Sequence, residues 1–64
     1  MRVNGTDINL DDNMSLYDFL STNNYDITKI AVEHNTNIVP KTEYKNIMLD
    51  NNDTLEVVSF VGGG

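Results

Sequence analysis

Apolar residues along the chain fall into short alternating runs separated by clusters of Asn, Asp and Gly, a pattern that predicts strands and tight turns with little room for helix. Met1-Arg2-Val3 and Thr6-Asp7-Ile8-Asn9-Leu10 flank Asn4-Gly5, which favours a type I′ hairpin because both central residues must take positive φ. The register follows from the turn. With Val3 opposite Thr6, Met1 falls opposite Ile8, so Met1, Val3, Ile8 and Leu10 share a core face while Arg2 and Asp7 meet on the wet one.

A polar turn, Asp11-Asp12-Asn13, leads to Ser15, a good N-cap with Asp18 three residues later and with Met14 and Phe19 at the hydrophobic-staple positions. Leu16, Phe19 and Leu20 recur at i, i+3 and i+4 and give one apolar stripe, and Asn23-Asn24 supplies the stop. This is the one clear helix. Lys29–Glu33 reads as a strand, and Ile38-Val39 as a short one after Asn35-Thr36-Asn37, closed or made an edge by Pro40. Thr42 is placed to cap a single helical turn through Tyr44, Ile47-Met48-Leu49 returns to apolar packing, and Asp50-Asn51-Asn52-Asp53 forms a turn.

Residues 54–61, rich in β-branched and aromatic side chains, form the strongest strand of the chain. The order is thus hairpin, helix, two strands and a final strand, and a single helix shields only one face of a sheet of four or five strands. The other face stays open. If Leu55 and Val57 pack under the helix, Glu56, Val58 and Phe60 look outward, and Val58 with Phe60 is either a docking patch or is covered by neighbouring side chains.

With 64 residues, the chain has room for one small domain that buries only about 60% of its unfolded surface. A substrate pocket competes with the core for the same apolar side chains, which favours a partner-dependent role over a stand-alone enzyme. The absence of cysteine removes disulfides, thiolate metal sites and any side-chain thiol that could carry sulfur. A net charge of −6 opposes binding to nucleic acid or anionic lipid and favours a basic protein surface. No apolar run is long enough to span a membrane and no secretory signal is seen, so a cytoplasmic location is expected and the Asn-X-Ser/Thr matches at Asn4, Asn13 and Asn52 are read as turn chemistry.

His34 has no second histidine or nucleophile beside it in sequence and is read as a solvated turn residue. The acids Asp11, Asp12, Asp50 and Asp53 lack the glycine and distal glutamate of a calcium loop, Glu43 and Glu56 are ordinary surface acids, and no metal site is expected. No phosphate-cradling loop precedes a helix. The remaining chemistry lies in Gly62-Gly63-Gly64, whose lack of Cβ atoms suits it to thread a narrow channel and whose three residues extend roughly 10 Å. Taken alone, such a run fits a frayed end or an expression remnant better than a functional tail, and it is the strand directly before it that shifts the balance. Its carboxylate, with a pKa of about 3.3 to 3.7, resists nucleophiles until converted to an acyl-adenylate, so activation must come from a partner.

Three stretches together resemble the ThiS sulfur carriers of thiamine biosynthesis, across nearly the whole chain: Ser15–Leu20, Ile30–Asn35 with Ile38–Tyr44, and Asp53–Gly64. The chain departs from the family pattern at Thr36 and Asn52, where turn glycines are common, and at Tyr44, where tryptophan is usual; Asn37 and Asn52 can both tolerate left-handed backbone. The resemblance implies an α+β, ubiquitin-like β-grasp fold, a mixed sheet of four or five strands with one main helix on one face. Residues 1–61 would form the domain and 62–64 a flexible tail.

It further implies that an E1-like adenylyltransferase of the ThiF type uses MgATP to adenylate Gly64. A sulfur donor such as a cysteine desulfurase then supplies a persulfide, and the resulting thiocarboxylate donates sulfur to a ThiG-type thiazole synthase. In this scheme the protein binds no cofactor itself, Gly62 and Gly63 permit entry, and Val58, Phe60 and Val61 contact partners. A molybdopterin-synthase small subunit and a ubiquitin-type modifier, whose Gly64 would end in an isopeptide bond, are the alternatives.

Overall fold

The computed structural model describes residues 1–60, so Val61 and the expected tail Gly62-Gly63-Gly64 lie outside the described residues. Strands β1 (Arg2–Val3) and β2 (Thr6–Asp7) are joined by Asn4 and Gly5 at φ 50° and 82°, in the expected register of Val3 with Thr6 and Arg2 with Asp7. Met1 and Ile8 exchange backbone hydrogen bonds of 2.9 and 2.8 Å, which extends the hairpin one pair further. Met1, Val3 and Leu10 are buried, and the Arg2–Asp7 pair, 3.2 Å apart, lies in solvent.

Strand β3 (Met14–Ser15) leads directly into helix α1 (Leu16–Thr22). Ser15 Oγ accepts from the Asp18 amide at 3.0 Å. The other two first-turn amides bond the distant segment 44–47, Leu16 N to Ile47 O at 2.8 Å and Tyr17 N to Tyr44 O at 2.9 Å, so the helix start is capped by tertiary structure. At its end, Asn24 takes φ 64° and donates to Ser21 O while Tyr25 donates to Leu20 O, the crossed pair of a Schellman motif built on asparagine. The helix buries Leu16, Phe19 and Leu20, the predicted stripe.

Strand β4 (Ile30–His34) turns through Asn35 and Thr36 into β5 (Asn37–Ile38). After β6 (Met48–Leu49) comes the long strand β7 (Thr54–Ser59). The main sheet runs β2-β1-β7-β4-β5, with β1 parallel to β7 and the other pairs antiparallel, so the last strand lies at the centre. This is the mixed five-stranded sheet expected, with Leu55 and Val57 turned to the core beneath the helix. A separate two-stranded sheet, β3 with β6, was not foreseen.

Three local expectations are corrected. Thr42 does not cap a helical turn; it lies inside a 3-10 turn over Lys41–Glu43 that follows the extended Pro40 and has no side-chain cap. Within 47–49, Leu49 is fully buried but Met48 is 60% exposed, because its pairing in the second sheet turns it outward. The left-handed residues of the β4–β5 turn are Asn35 (φ 49°) and Thr36 (φ 74°), not Asn37, and the 50–53 turn closes without positive φ at Asn52. Tyr44 is 1% exposed and fills the core, and burial pushes its phenol pKa up.

Thr36 therefore carries a β-branched side chain in backbone that suits glycine. Thr36→Gly is expected to stabilise the fold by about 0.5–1 kcal/mol, the strain relieved exceeding the added unfolded-state entropy, as read from the urea midpoint.

Candidate functional site

Strand β7 is bonded on both sides. Its pairing with β4 runs from His34–Leu55 to Ile30–Ser59, and the Phe60 amide adds a bond to Lys29 O at 2.9 Å. On the other side β1 covers only Thr54 and Leu55, and the Asn4 side chain continues the parallel pairing by accepting from Val57 N at 2.7 Å and donating to Val57 O at 3.1 Å. The segment leading toward the glycines thus leaves the most firmly bonded strand of the sheet.

The outer face of that strand is bare. Val58 is 61% exposed and Phe60 45% exposed, so neither is covered as the second sequence reading allowed. Alternation alone puts them together, but their surroundings differ. Val58 pairs with Ala31 and shares a shallow depression with Ile38, 70% exposed, bordered by Glu33 and Glu56, which sit directly opposite each other. The Phe60 ring lies beside Lys41, its centroid 5.9 Å from Nζ. Ala31, Ile38 and Lys41 were missed from the sequence. The first two could have been found from the β4–β5 register, and Lys41 carries no sequence signal.

His34 is not a solvated turn residue. It is half-buried at the end of β4, its Nε2 3.2 Å from Asp53 Oδ1, and the same carboxylate oxygen accepts from Asn35 Nδ2 at 2.9 Å. Burial acts to raise the Asp53 pKa, but hydrogen bonds from Asn35, from the Asp50 backbone and from His34, together with the histidine's charge, outweigh it and hold the carboxyl below its usual 3.8. The cluster ties the β4–β5 turn to the turn before β7, with no nucleophile in it. Among the described residues no group of three or more His, Cys, Asp or Glu side chains could hold a metal ion, and Asp50 and Asp53 close a turn as expected. An open groove between residues 8–12 and the end of α1 is lined by Ile8, Leu10, Met14 and Phe19 with Asp11 and Asp12, and brings no base or nucleophile together. No helix among the described residues is long and apolar enough to cross a membrane.

A mixed sheet with its last strand central, one helix across one face and the other face bare defines a β-grasp domain of the ubiquitin-like kind. Residues 1–64 match the ThiS family, and the chain belongs to it. It is 32% identical to the sulfur carrier protein ThiS of Bacillus subtilis, over 100% of this chain and 98% of that protein. It is 39% identical to a thiazole synthase of Paramagnetospirillum magneticum over 97% of this chain, and it spans only 19% of that protein's length. The crystal structure of a thiamine biosynthesis protein (ThiS) from Geobacter metallireducens superposes with a TM-score of 0.82 at 23% identity, covering 98% of this chain and 96% of that one.

The Asp53 cluster has a defined acid signature. Because the folded-state pKa is depressed, its contribution is fully present above the unfolded value of about 3.9 and is lost as pH falls through the folded pKa. Asp53→Asn should lower stability at pH 7 by about 1 kcal/mol and flatten the decline of the urea midpoint below roughly pH 4, leaving the two proteins closer in acid than at neutrality.

Proposed function

We propose that this ThiS-family chain serves as a sulfur carrier of thiamine biosynthesis in the cytoplasm, with the Gly64 α-carboxylate as the group that is activated and loaded. The observation that carries the reading is the family match through residues 1–64, which takes in the glycines that follow the central strand. No described side chain offers a thiol, so a sulfur atom must be held elsewhere, and an unencumbered carboxylate is the remaining candidate.

In this reading an E1-like adenylyltransferase of the ThiF type holds ATP and Mg²⁺. The Gly64 carboxylate attacks the α-phosphorus, pyrophosphate leaves, and the mixed anhydride loses the negative charge that repelled nucleophiles. A persulfide sulfur from a donor such as a cysteine desulfurase attacks the acyl carbon and AMP leaves. Cleavage of the remaining S–S bond by a thiol gives the thiocarboxylate, which passes sulfur to a thiazole synthase of the ThiG type. Gly62 and Gly63 contribute by having no side chain to obstruct a narrow channel.

Partner docking is assigned to Val58, Phe60 and Val61, joined by Ala31 and Ile38. The apolar centre of this face, bordered by Glu33 and Glu56, suits a partner surface with an apolar projection and basic surroundings. Val58→Glu should weaken the complex with the adenylyltransferase about tenfold, the equivalent of roughly 1.4 kcal/mol, with the circular dichroism spectrum unchanged; unaltered affinity would remove Val58 from the interface.

The covalent chemistry is tested by incubating the protein with the adenylyltransferase, MgATP and a sulfur source and measuring its intact mass. Exchange of one oxygen for one sulfur at Gly64 is expected, and adducts on lysine in its place would make the protein a modifier. Deleting Gly64 should abolish the exchange and leave the fold intact.

A further inference from the structure

Lys41 is the cation at the point where β7 leaves the sheet. Two of its three Nζ protons go to the carbonyl oxygens of Ile27 and Ile30, each at 2.8 Å. Its charge lies 6.0 Å from the Tyr44 ring centroid and 5.9 Å from that of Phe60, within cation–π range of both. Among the described residues the ion pairs are Arg2–Asp7 and His34–Asp53, so no carboxylate within 4 Å neutralises Lys41. The ammonium thus joins three elements: the start of β4 through Ile30, the core through Tyr44, and the end of β7 through Phe60.

Phe60 needs such a contact. It is 45% exposed, it follows the last residue of the strand, and among the described residues its backbone amide bonds to Lys29 O. That carbonyl belongs to the 3-10 turn Ile27–Lys29, which Lys41 itself fastens by bonding Ile27 O and Ile30 O on either side of it. Removing the ammonium would release the ring of Phe60 and loosen the turn that holds its amide.

We infer that Lys41 is a positioning residue that fixes Phe60, and with it the point at which strand β7 ends. The consequence for the carrier reaction rests on the function proposed above. A partner that takes up the residues after Phe60 meets a chain whose starting point is already ordered, and so avoids the entropy of ordering it at each encounter. The benefit is one of binding, equal in ground and transition states, and appears in KM and not in kcat.

The experiment has two arms. In the free protein, amide ¹⁵N relaxation is measured for Phe60 and for residues 55–57 in the wild type and in Lys41→Met, Lys41→Arg and Phe60→Leu. Lys41→Met and Phe60→Leu should lower the order parameter of residue 60 and leave 55–57 unchanged. Lys41→Arg, whose guanidinium can reach the same carbonyls and stack on the ring, should keep it. An unchanged order parameter at residue 60 in Phe60→Leu, which leaves the Lys41 hydrogen bonds in place, would overturn the inference even if Lys41→Met did not fold.

In the second arm, adenylation kinetics should show KM for the carrier rising about tenfold in Lys41→Met at constant kcat, as expected for ordering one more residue per encounter, with recovery in Lys41→Arg. Lys45→Met, which removes an equal charge from the cation lying over Tyr17, should leave KM unchanged. An equal rise in Lys45→Met would reduce the effect to net charge and overturn the inference. If the wild type is never adenylated, the proposed function fails, while the relaxation arm still decides the role of Lys41.

Discussion

The sheet depends on β7 being held along its whole length although one of its neighbours is too short to do so. Strand β1 has two residues, and the chain turns away at Asn4 to make the hairpin. A carboxamide side chain carries the same donor and acceptor as a peptide group, and Asn4 offers its own to the amide and carbonyl of Val57. One residue thereby serves the turn, through its left-handed backbone, and the ladder, through its side chain. Without the second role the Val57 peptide group would lack a partner on the β1 side, in the middle of the strand that carries Leu55 and Val57 into the core.

The same substitution of side-chain amide for backbone recurs at both other junctions of the sheet. Asn51 accepts from Leu10 N at 2.8 Å and donates to Leu10 O at 3.1 Å, and its oxygen also receives the Met1 ammonium at 3.3 Å, which ties the loop before the helix to the turn before β7. The side-chain oxygen of Asn35 accepts from Thr54 N at 2.9 Å while its backbone N–H donates to Thr54 O. A small domain without disulfides has few ways to join short strands, and amide pairing across loops provides one at modest side-chain entropy. The asparagine content of the chain is accordingly more than turn chemistry.

What could be read from the sequence was what is local. Asn4-Gly5 set both the hairpin and its register, Ser15 and the Leu16, Phe19, Leu20 stripe set the helix, and the alternation through residues 54–60 separated the core face from the bare one. The second sheet could not be read, since Met14-Ser15 and Met48-Leu49 are too short for a period and pair across more than thirty residues of chain. Nor could the capping of the helix by residues 44–47, the inward turn of His34 to Asp53, or the contacts of Lys41. Each joins groups that only the closed fold brings together. Thr36 departs from the family pattern, but its left-handed backbone is imposed by the hairpin around it against the preference of the residue itself. Of the candidate site, Val58 and Phe60 were found from alternation and Ile38 and Ala31 were not, because their place on the same face depends on cross-strand register.

The central position of β7 also governs how a nascent chain can fold. Before Thr54–Ser59 has been synthesised, the β1–β2 and β4–β5 hairpins have no edge in common, since each pairs only with β7 and not with the other. Cotranslational intermediates can therefore hold isolated hairpins, the short β3–β6 pair and a seven-residue helix, none of them stable alone, but not the five-stranded sheet. Folding of the five-stranded sheet must therefore wait for Thr54–Ser59 to emerge from the ribosome, and every earlier segment is held in reserve until that strand arrives.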